Sequence, residues 1–369
     1  MPDLNEEDIE AVVSVLRTPY LSLGPKLQEF EQQFADFVGT KEAVAVSNGT
    51  CALHLAMHAL EIRDGDEVIT TPFSFISSAN CILFERARPV FVDILPDTFC
   101  IDPEKIEAAI TPRTKAILAV DVFGYMAEWK ALRALAEKHS LLLIEDSCEA
   151  LGSKHDNQHA GSFADCAVFA FYPNKQMTTG EGGMFVTDRA DLARMVRSLR
   201  NQGRDEDDAF LVHHRLGFNY RISDINCALG LSQLKKLPEM VKRRAQVAQW
   251  YKEGLADITK DLLIPADQQG VEISWFVYVA RLADRFSSKD RDHLCQYLKD
   301  RGIGCNTYFP CIHLQPFYRE QFGFKEGDFP VTEHVADRTI ALPFSSRISQ
   351  KDVAKVCETL KDGLLHLPS

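Results

Sequence analysis

The feature that most constrains this fold is an alternation of short apolar runs and helical stretches between about residues 43 and 187. Near-continuous apolar strands that alternate with helices indicate a mainly parallel sheet covered on both faces. We therefore expect an α/β fold of three layers, α/β/α. The expected strands are Ala43–Ser47, Glu67–Thr71, Pro89–Val92, Ala116–Val120, Leu141–Glu145, Ala167–Tyr172 and Met184–Thr187. The helices between them include Cys51–Leu60, Pro103–Ile110, Glu128–His139 and Ala190–Leu199.

The two ends of the chain carry other patterns. Asn5 can cap a first helix with an apolar stripe, and Leu27–Phe37 is typical of a second helix. The residues of that stripe are Ile9, Val12, Val13 and Leu16. After about residue 235 we expect a basic helix at Lys235–Lys252, a strand at Trp275–Leu282 and a helix at Lys289–Asp300. A loop from Tyr308 to Pro316 and a last helix from Gln350 follow. This predicts a large domain over residues 1–235 and a smaller C-terminal α+β domain over residues 236–369, on which the first helix is a candidate to pack.

Composition excludes several classes of protein. The formal charge of −12 argues against broad binding to nucleic acid or to an anionic membrane. The ten cysteines form no CxxC pair and no zinc-like cluster, so we expect reduced thiols and no metal site. The acidic N-terminus lacks the pattern of a signal peptide, and no apolar run is long enough to span a bilayer. These features predict a cytoplasmic protein.

Polar motifs follow the carboxyl ends of the expected strands, where sites in parallel sheets lie. Ser47-Asn48-Gly49-Thr50 opens a helix, and free N–H groups there attract phosphate. The alternative is a plain turn with a helix cap. Asp146 follows a buried strand and could pair with a pyridinium nitrogen; a helix cap, a structural acid or a metal ligand are the alternatives.

An aromatic ring and a lysine complete this set. Phe73 or Phe75 could stack on a flat cofactor, although core packing explains most single aromatics. Lys175 lies between an apolar strand and a glycine-rich turn, where its amine could form a Schiff base with pyridoxal phosphate. Taken alone, a lysine is more often a solvated surface charge. The order of the four features along the chain is more informative than any one of them.

Over nearly its whole length the sequence resembles the DegT/DnrJ/StrS-type aminotransferases. These enzymes use pyridoxal phosphate on keto groups of nucleotide-linked sugars and have the type I, aspartate-aminotransferase fold. The motifs that carry the resemblance include Leu23-Gly24-Pro25, Ser47-Asn48-Gly49-Thr50, Thr71-Pro72 with Phe75, Phe91-Val92-Asp93, Glu145-Asp146-Ser147-Cys148-Glu149-Ala150, Tyr172-Pro173-Asn174-Lys175, Gly180-Glu181-Gly182-Gly183, Arg200-Asn201-Gln202-Gly203-Arg204, Gly217-Phe218-Asn219-Tyr220-Arg221 and Tyr308-Phe309-Pro310-Cys311-Ile312-His313.

The resemblance implies roles for the cofactor-binding residues. Lys175 would hold pyridoxal phosphate as a Schiff base and then move the proton, and Asp146 would pair with the ring nitrogen. Gly49 and Thr50 would bind the phosphate, and Phe75 would stack on the ring.

Further residues are implied to act around this centre. Asn219 would reach the phosphate in the neighbouring subunit, which implies a homodimer with shared active sites. Tyr308 and His313 would approach the sugar; ordinary packing is the alternative for both. Two positions depart from many relatives: Ala170 replaces a serine that helps bind phosphate, and Glu149 replaces a glutamine near the cofactor.

The resulting hypothesis is a ping-pong transamination. An amino acid, glutamate or glutamine, would convert the cofactor to the pyridoxamine phosphate form, and a nucleotide-linked keto sugar would then take the amine. The alternatives are an aminotransferase for a carbocyclic ketone, a sugar dehydratase of the same fold, and a non-catalytic regulator that binds the cofactor. The retained Lys175 disfavours the dehydratase, and the sequence carries no appended DNA-binding motif.

Overall fold

The computed structural model describes residues 2–205 and 211–367. A seven-stranded sheet lies at its centre, in the order β1-β9-β8-β5-β4-β2-β3. Numbered along the chain, the strands are β1 (Glu42–Val46), β2 (Glu67–Thr70), β3 (Arg88–Phe91), β4 (Thr114–Val120), β5 (Leu142–Asp146), β6 (Lys154–His155), β7 (Gln158–His159), β8 (Cys166–Ala170), β9 (Gly183–Thr187), β10 (Leu262–Leu263), β11 (Val271–Glu272), β12 (Tyr278–Leu282) and β13 (Thr339–Leu342).

Helices cover this sheet and continue into the C-terminal part of the chain. They are α1 (Glu6–Leu16), α2 (Pro25–Val38), α3 (Gly49–Ala59), α4 (Ser77–Phe84), α5 (Pro103–Ala109), α6 (Trp129–His139), α7 (Ala190–Arg200), α8 (Asp224–Gly254), α9 (Ser288–Asp300), α10 (Pro316–Phe322), α11 (Pro330–Ala336) and α12 (Gln350–Leu365). Three short 3₁₀ turns lie at Val122–Gly124, Ala256–Ile258 and Ile312–Leu314.

The central sheet is mainly parallel, which confirms the fold expected from the sequence. Strand β9 alone runs antiparallel to its neighbours, β1 and β8. The other pairs in the sheet, from β8 through β5, β4 and β2 to β3, are parallel. Since β1 and β8 both oppose β9, the carboxyl ends of β1, β8, β5, β4, β2 and β3 all lie at one edge. The strands are mainly apolar because both faces of the sheet are buried, and Glu145 and Asp146 at the end of β5 are buried exceptions.

A second core lies in the C-terminal part of the chain. It forms between the three-stranded sheet β10-β12-β13, the second half of α8, and helices α9 and α12. The helix expected at Lys235–Lys252 is longer in the structure, because α8 begins at Asp224. It therefore crosses the domain boundary placed at residue 235 without a break, and that boundary stays a prediction.

The first helix docks through a polar contact rather than through its whole apolar stripe. Asn5 caps α1, as expected, in a capping box with Asp8. The buried Asp8 carboxylate accepts hydrogen bonds from Ser232, Gln233 and Lys236 of α8. Ile9 is 52% exposed, so this residue of the expected stripe faces outward.

The described residues contain no disulfide and no helix that could span a membrane. All ten cysteines are free thiols, most of them buried. Within residues 2–205 and 211–367, every helix is too short or too polar to cross a membrane.

Candidate active site

The candidate residues collect at the edge of the sheet where the parallel strands end. Asp146 is the last residue of β5, and Gly49 is the first residue of α3, which follows β1. Lys175 lies in the loop between β8 and β9. The topology therefore brings an acid, a helix N-terminus and an amine from three separate motifs to one place.

Asp146 is held as a buried hydrogen-bond acceptor. Its side chain is almost fully buried, and Ser78 Oγ donates to Asp146 Oδ2 over 2.7 Å. The Cys148 backbone N–H donates to Asp146 Oδ1 over 3.2 Å. Both contacts hold the carboxylate in place as an acceptor, the role it would need to pair with a protonated ring nitrogen.

The start of α3 forms a crevice that admits only a glycine. Asn48 caps the helix and accepts a hydrogen bond from the Cys51 N–H. A Cβ added at Gly49 would lie 2.7 Å from Ala170 Cβ, which is closer than side chains tolerate. Thr50 Oγ1 lies 2.8 Å from Ser77 Oγ, so its hydroxyl is already oriented. Unpaired N–H groups, a hydroxyl and a close backbone approach are what a phosphate group requires.

The two phenylalanine candidates separate clearly. Phe73 is fully buried and packs against the rings of Phe99, Phe123 and Phe309. Phe75 is 61% exposed. Only Phe75 of this pair has a ring available to a ligand.

The Lys175 amine lies between a carboxylate and an aromatic ring. Lys175 Nζ is 3.5 Å from Glu149 Oε1 and 4.0 Å from the centroid of the Phe276 ring. The Lys175 side chain is only 13% exposed. Burial raises the pKa of Glu149, while the nearby lysine charge and the Phe123 N–H, which donates over 3.0 Å, oppose that rise. The surface-charge interpretation of Lys175 does not apply in this setting.

The two residues expected to approach the sugar have different surroundings. Tyr308 lines a cavity of about 560 Å³ with Asn174, Arg244 and Phe276, and burial raises its pKa. His313 is fully buried; its Nε2 lies 3.0 Å from Glu333 Oε1, and it does not line that cavity. Burial lowers the pKa of His313, against the effect of Glu333. A substrate role for each residue stays a prediction.

Asn219 lies at the surface beside the α3 crevice. Its backbone pairs with Asn201, and its side chain is exposed. The next residue, Tyr220, accepts a hydrogen bond from the Ser47 N–H through its carbonyl. A contact from Asn219 to a partner subunit stays a prediction.

Several residues at this site were not expected from the sequence. Ser78 bonds Asp146 across 68 positions of chain, so no local pattern announces the contact. Arg244 is buried in α8 and donates to the carbonyl oxygens of Lys175, Trp275 and Phe276. A basic helix with a single buried guanidinium has no distinct sequence signal, because most arginines on such a helix are solvated.

Comparison with known proteins decides the family. The DegT/DnrJ/EryC1/StrS aminotransferase family model matches residues 2–361. The chain belongs to this family. Its members are aminotransferases that use pyridoxal phosphate, so the resemblance, fold and cofactor expected from the sequence are confirmed.

Named relatives align over nearly their full length. The spore coat polysaccharide biosynthesis protein SpsC of Bacillus subtilis is 38% identical over 98% of this chain and 95% of its own. GDP-perosamine synthase of Caulobacter vibrioides is 37% identical over 99% of this chain and 97% of its own. The structure of Helicobacter pylori PseC, an aminotransferase in pseudoaminic acid biosynthesis, superposes with a TM-score of 0.94 at 30% identity. It covers 99% of this chain and 98% of that one.

The residues present fit the family cofactor. The glycine crevice at Gly49 suits a phosphate, the Asp146 carboxylate suits a ring nitrogen, and the Lys175 amine suits an aldehyde. No group of three or more potential metal ligands occurs among residues 2–205 and 211–367.

Proposed function

We propose that this protein transfers an amino group from an amino acid, glutamate first among the candidates, to a keto group of a nucleotide-linked deoxysugar. The observation that carries the proposal is the buried Lys175 amine at the same sheet edge as the buried Asp146 carboxylate. The family assignment supports the same reaction class.

The site residues divide the work of holding pyridoxal phosphate. Gly49 and Thr50 would take the phosphate, Asp146 the ring nitrogen and Lys175 the aldehyde carbon, while Phe75 would cover the ring. When bound, the cofactor supplies an electron sink for the carbon that loses a proton. Glu149 would lie beside it through its contact with Lys175.

Lys175 is the proton carrier in this proposal. An amine that has left the cofactor is free to take a proton at Nζ from one carbon and deliver it to another. The low exposure of the Lys175 side chain keeps water away from the transferred proton. The Glu149 carboxylate and the Phe276 ring limit where the amine can lie.

The substrate class rests on relatives and on the cavity beside Lys175. GDP-perosamine synthase and PseC are named for sugar products, and their similarity extends over the whole chain. The cavity of about 560 Å³ has both polar and apolar lining residues, including Tyr308, and has room for a sugar. Lys175 does not line it, and Phe276 is the residue that contacts both the cavity and the Lys175 amine. His313 is buried outside the lining of this cavity and would act on the substrate only after a rearrangement. Surface polysaccharide synthesis in the cytoplasm is the setting that we infer.

The decisive assay follows amine transfer. Purified protein with pyridoxal phosphate and glutamate should release 2-oxoglutarate in an amount equal to the bound cofactor, and continuous turnover should require a keto sugar nucleotide. Lys175→Ala should abolish both. Turnover with a carbocyclic ketone instead, or loss of a sugar hydroxyl, would replace the proposed substrate or reaction. Cofactor binding with no discharge by any amino donor would indicate a regulator.

We also infer a homodimer with shared sites. Asn219 is exposed beside the α3 crevice, and Leu211, Val212 and Leu216 are exposed apolar residues of the preceding segment. Inactive Lys175→Ala and Asn219→Ala variants can be mixed, unfolded and refolded together. If Asn219 acts on the partner's site, mixed dimers hold one intact site each, and about a quarter of wild-type activity should return. No recovery, with dimers confirmed by sedimentation, would contradict shared sites.

A further inference from the structure

The Lys175 amine lies in a small pocket that suits a positive charge. A carboxylate oxygen of Glu149 is 3.5 Å away on one side, and the Phe276 ring centroid is 4.0 Å away on another. Both side chains are buried, at 5% and 3% exposure. An ammonium group gains from a nearby carboxylate and from the face of an aromatic ring, and both gains grow as water is excluded.

This pocket is held together by one guanidinium. Arg244 Nη2 donates to the Lys175 carbonyl over 3.2 Å, and Nη1 donates to the Phe276 carbonyl over 3.1 Å. The lysine and the ring that it contacts are therefore fixed to the same group. Glu149 is fixed separately, since its Oε2 accepts the Phe123 N–H and its carbonyl accepts Gln176 Nε2.

We propose that Glu149 and Phe276 form a binding pocket for the charged form of the Lys175 amine and so stabilise the lysine once it has taken up a proton. The inference rests on the proposed role of Lys175 as proton carrier. The Glu149 carboxylate offers the ammonium group a full negative charge, which a neutral amide at this position would not.

The step needs no added reactant. The Lys175 lone pair forms an N–H bond with the proton of the substrate carbon, and the electron pair of the broken C–H bond stays on the carbon side. The resulting ammonium group is stabilised by Glu149 and Phe276 until it returns the proton to the neighbouring carbon. Nothing is oxidised or reduced at Lys175.

Other charged or titratable groups face this pocket and are unchanged by the test. Asp146 adds a second negative charge that acts on Glu149, and Cys148 and Tyr308 also interact with Glu149. Arg244 adds a cation whose hydrogen bonds are directed at backbone carbonyls. Removing the Glu149 charge therefore isolates its own effect on the lysine.

The test uses the full-length protein freed of cofactor. An amine-reactive acylating reagent modifies only uncharged amines, and mass spectrometry gives the rate of acylation at Lys175 and, as an internal reference, at the exposed Lys115. At neutral pH we expect Glu149→Gln to raise the Lys175 rate about tenfold or more, because the charged form loses its partner. Phe276→Leu should raise it about two- to fivefold. The rate at Lys115 should not change in either variant.

Glu149→Asp separates charge from access. Aspartate opens more space than glutamine but keeps the carboxylate, so we expect a rate nearer to wild type than that of Glu149→Gln. Equal Lys175 rates in Glu149→Gln and wild type would overturn the proposal, as would a rate in Glu149→Asp that exceeds both. Since neither cofactor nor substrate is present, these outcomes are independent of whether transamination is observed.

Discussion

Two sets of buried carboxylates, Asp146 and the pair of Glu145 with Asp121, lie at the ends of β5 and β4 and differ in their surroundings. Asp146 accepts hydrogen bonds from Ser78 and from a backbone N–H, and it lies at the edge that gathers the candidate site. The preceding residue, Glu145, points to the other face of the sheet and meets Asp121, also fully buried. Consecutive acids on one strand therefore lie on different faces of the sheet, one at the candidate site and one in a buried pair.

The Asp121–Glu145 pair must share a proton. The single hydroxyl hydrogen of Ser147 cannot serve both carboxylates, yet its Oγ lies 2.8 Å from Asp121 Oδ2 and 2.7 Å from Glu145 Oε1. Burial raises the pKa of both acids, and their mutual repulsion adds to the rise at Asp121. Asp146 has two donors, Ser78 and the Cys148 N–H, and each acid of the pair also has two besides Ser147. What distinguishes the two sets is that Asp121 and Glu145 meet at one hydroxyl with a single hydrogen, whereas no second carboxylate shares the Ser78 hydroxyl with Asp146.

The largest expected effect is on kcat, and it comes from a substitution of Asp146. Asp146→Asn keeps the shape but removes the negative charge that would face the ring nitrogen. We expect a loss of at least about 100-fold in kcat, the scale found when one preorganised electrostatic partner is removed. Steady-state kinetics measure it, with circular dichroism and the free energy of unfolding as controls for folding. Retention of wild-type kcat would remove Asp146 from the site.

A smaller loss should follow from the donor to Asp146. Ser78→Ala removes the 2.7 Å hydrogen bond to Asp146 Oδ2, and a bond to a charged group is worth about 1.5–3 kcal/mol. We expect the Kd for pyridoxal phosphate to rise about tenfold or more in a fluorescence titration. Ser74→Ala is the matched control, because Ser74 bonds Ser78 and not Asp146. Equal Kd values in the two variants would contradict this role for Ser78.

A substitution in the Asp121–Glu145 pair should change the free energy of unfolding and not the reaction. Asp121→Asn can still accept from the Ala127 N–H and Trp129 Nε1 through its oxygen, while its NH₂ donates to Ser147. Because the folded pKa values of the pair are raised, the pair's contribution to stability is lost as the pH rises through them. We therefore expect Asp121→Asn to gain about 1 kcal/mol on wild type at high pH and to lose that advantage at low pH.

Denaturant unfolding at a series of pH values tests this expectation. The two stability curves should diverge as the pH rises, while kcat changes little in the variant. Parallel curves would show that the shared proton does not exist, and a large fall in kcat would abolish the contrast with Asp146.

The smallest effect concerns the phosphate crevice. Ala170→Ser adds the hydroxyl that the family resemblance leads us to expect at this position, at a residue that already lies against Gly49. We expect the Kd for pyridoxal phosphate to fall severalfold, about the worth of one added hydrogen bond. The same titration measures it, and a higher Kd would indicate that the crevice has no room for the added oxygen.

Local signals could be predicted from the sequence, whereas contacts between residues distant in the chain could not. The strand expected at Leu141–Glu145 lies at Leu142–Asp146, because an apolar run buried on both faces is a strong local signal. The start of α8 at Asp224 lies outside the expected range because Gly230 interrupts the helical pattern before Lys235. In the structure Gly230 permits close packing, since an added Cβ would lie 2.7 Å from Phe30 Cζ.

The candidate site was predictable where a motif is local and unpredictable where contacts are distant. Asp146 ends a readable strand, and Lys175 lies in the loop that follows another. Phe276 and Arg244 lie about 70 to 100 residues beyond Lys175 in sequence, and only the fold brings them to it. His313 belongs to a recognisable motif, yet its contacts with Glu333 and Phe329 could not be predicted from the sequence.

The most direct measurement of the central claim is borohydride reduction followed by peptide mass spectrometry. Protein loaded with pyridoxal phosphate should carry a reduced cofactor adduct on Lys175, and prior addition of glutamate should remove that adduct. An adduct on another lysine, or none, would contradict the role of Lys175. An adduct on Lys175 that no amino donor removes would contradict transamination.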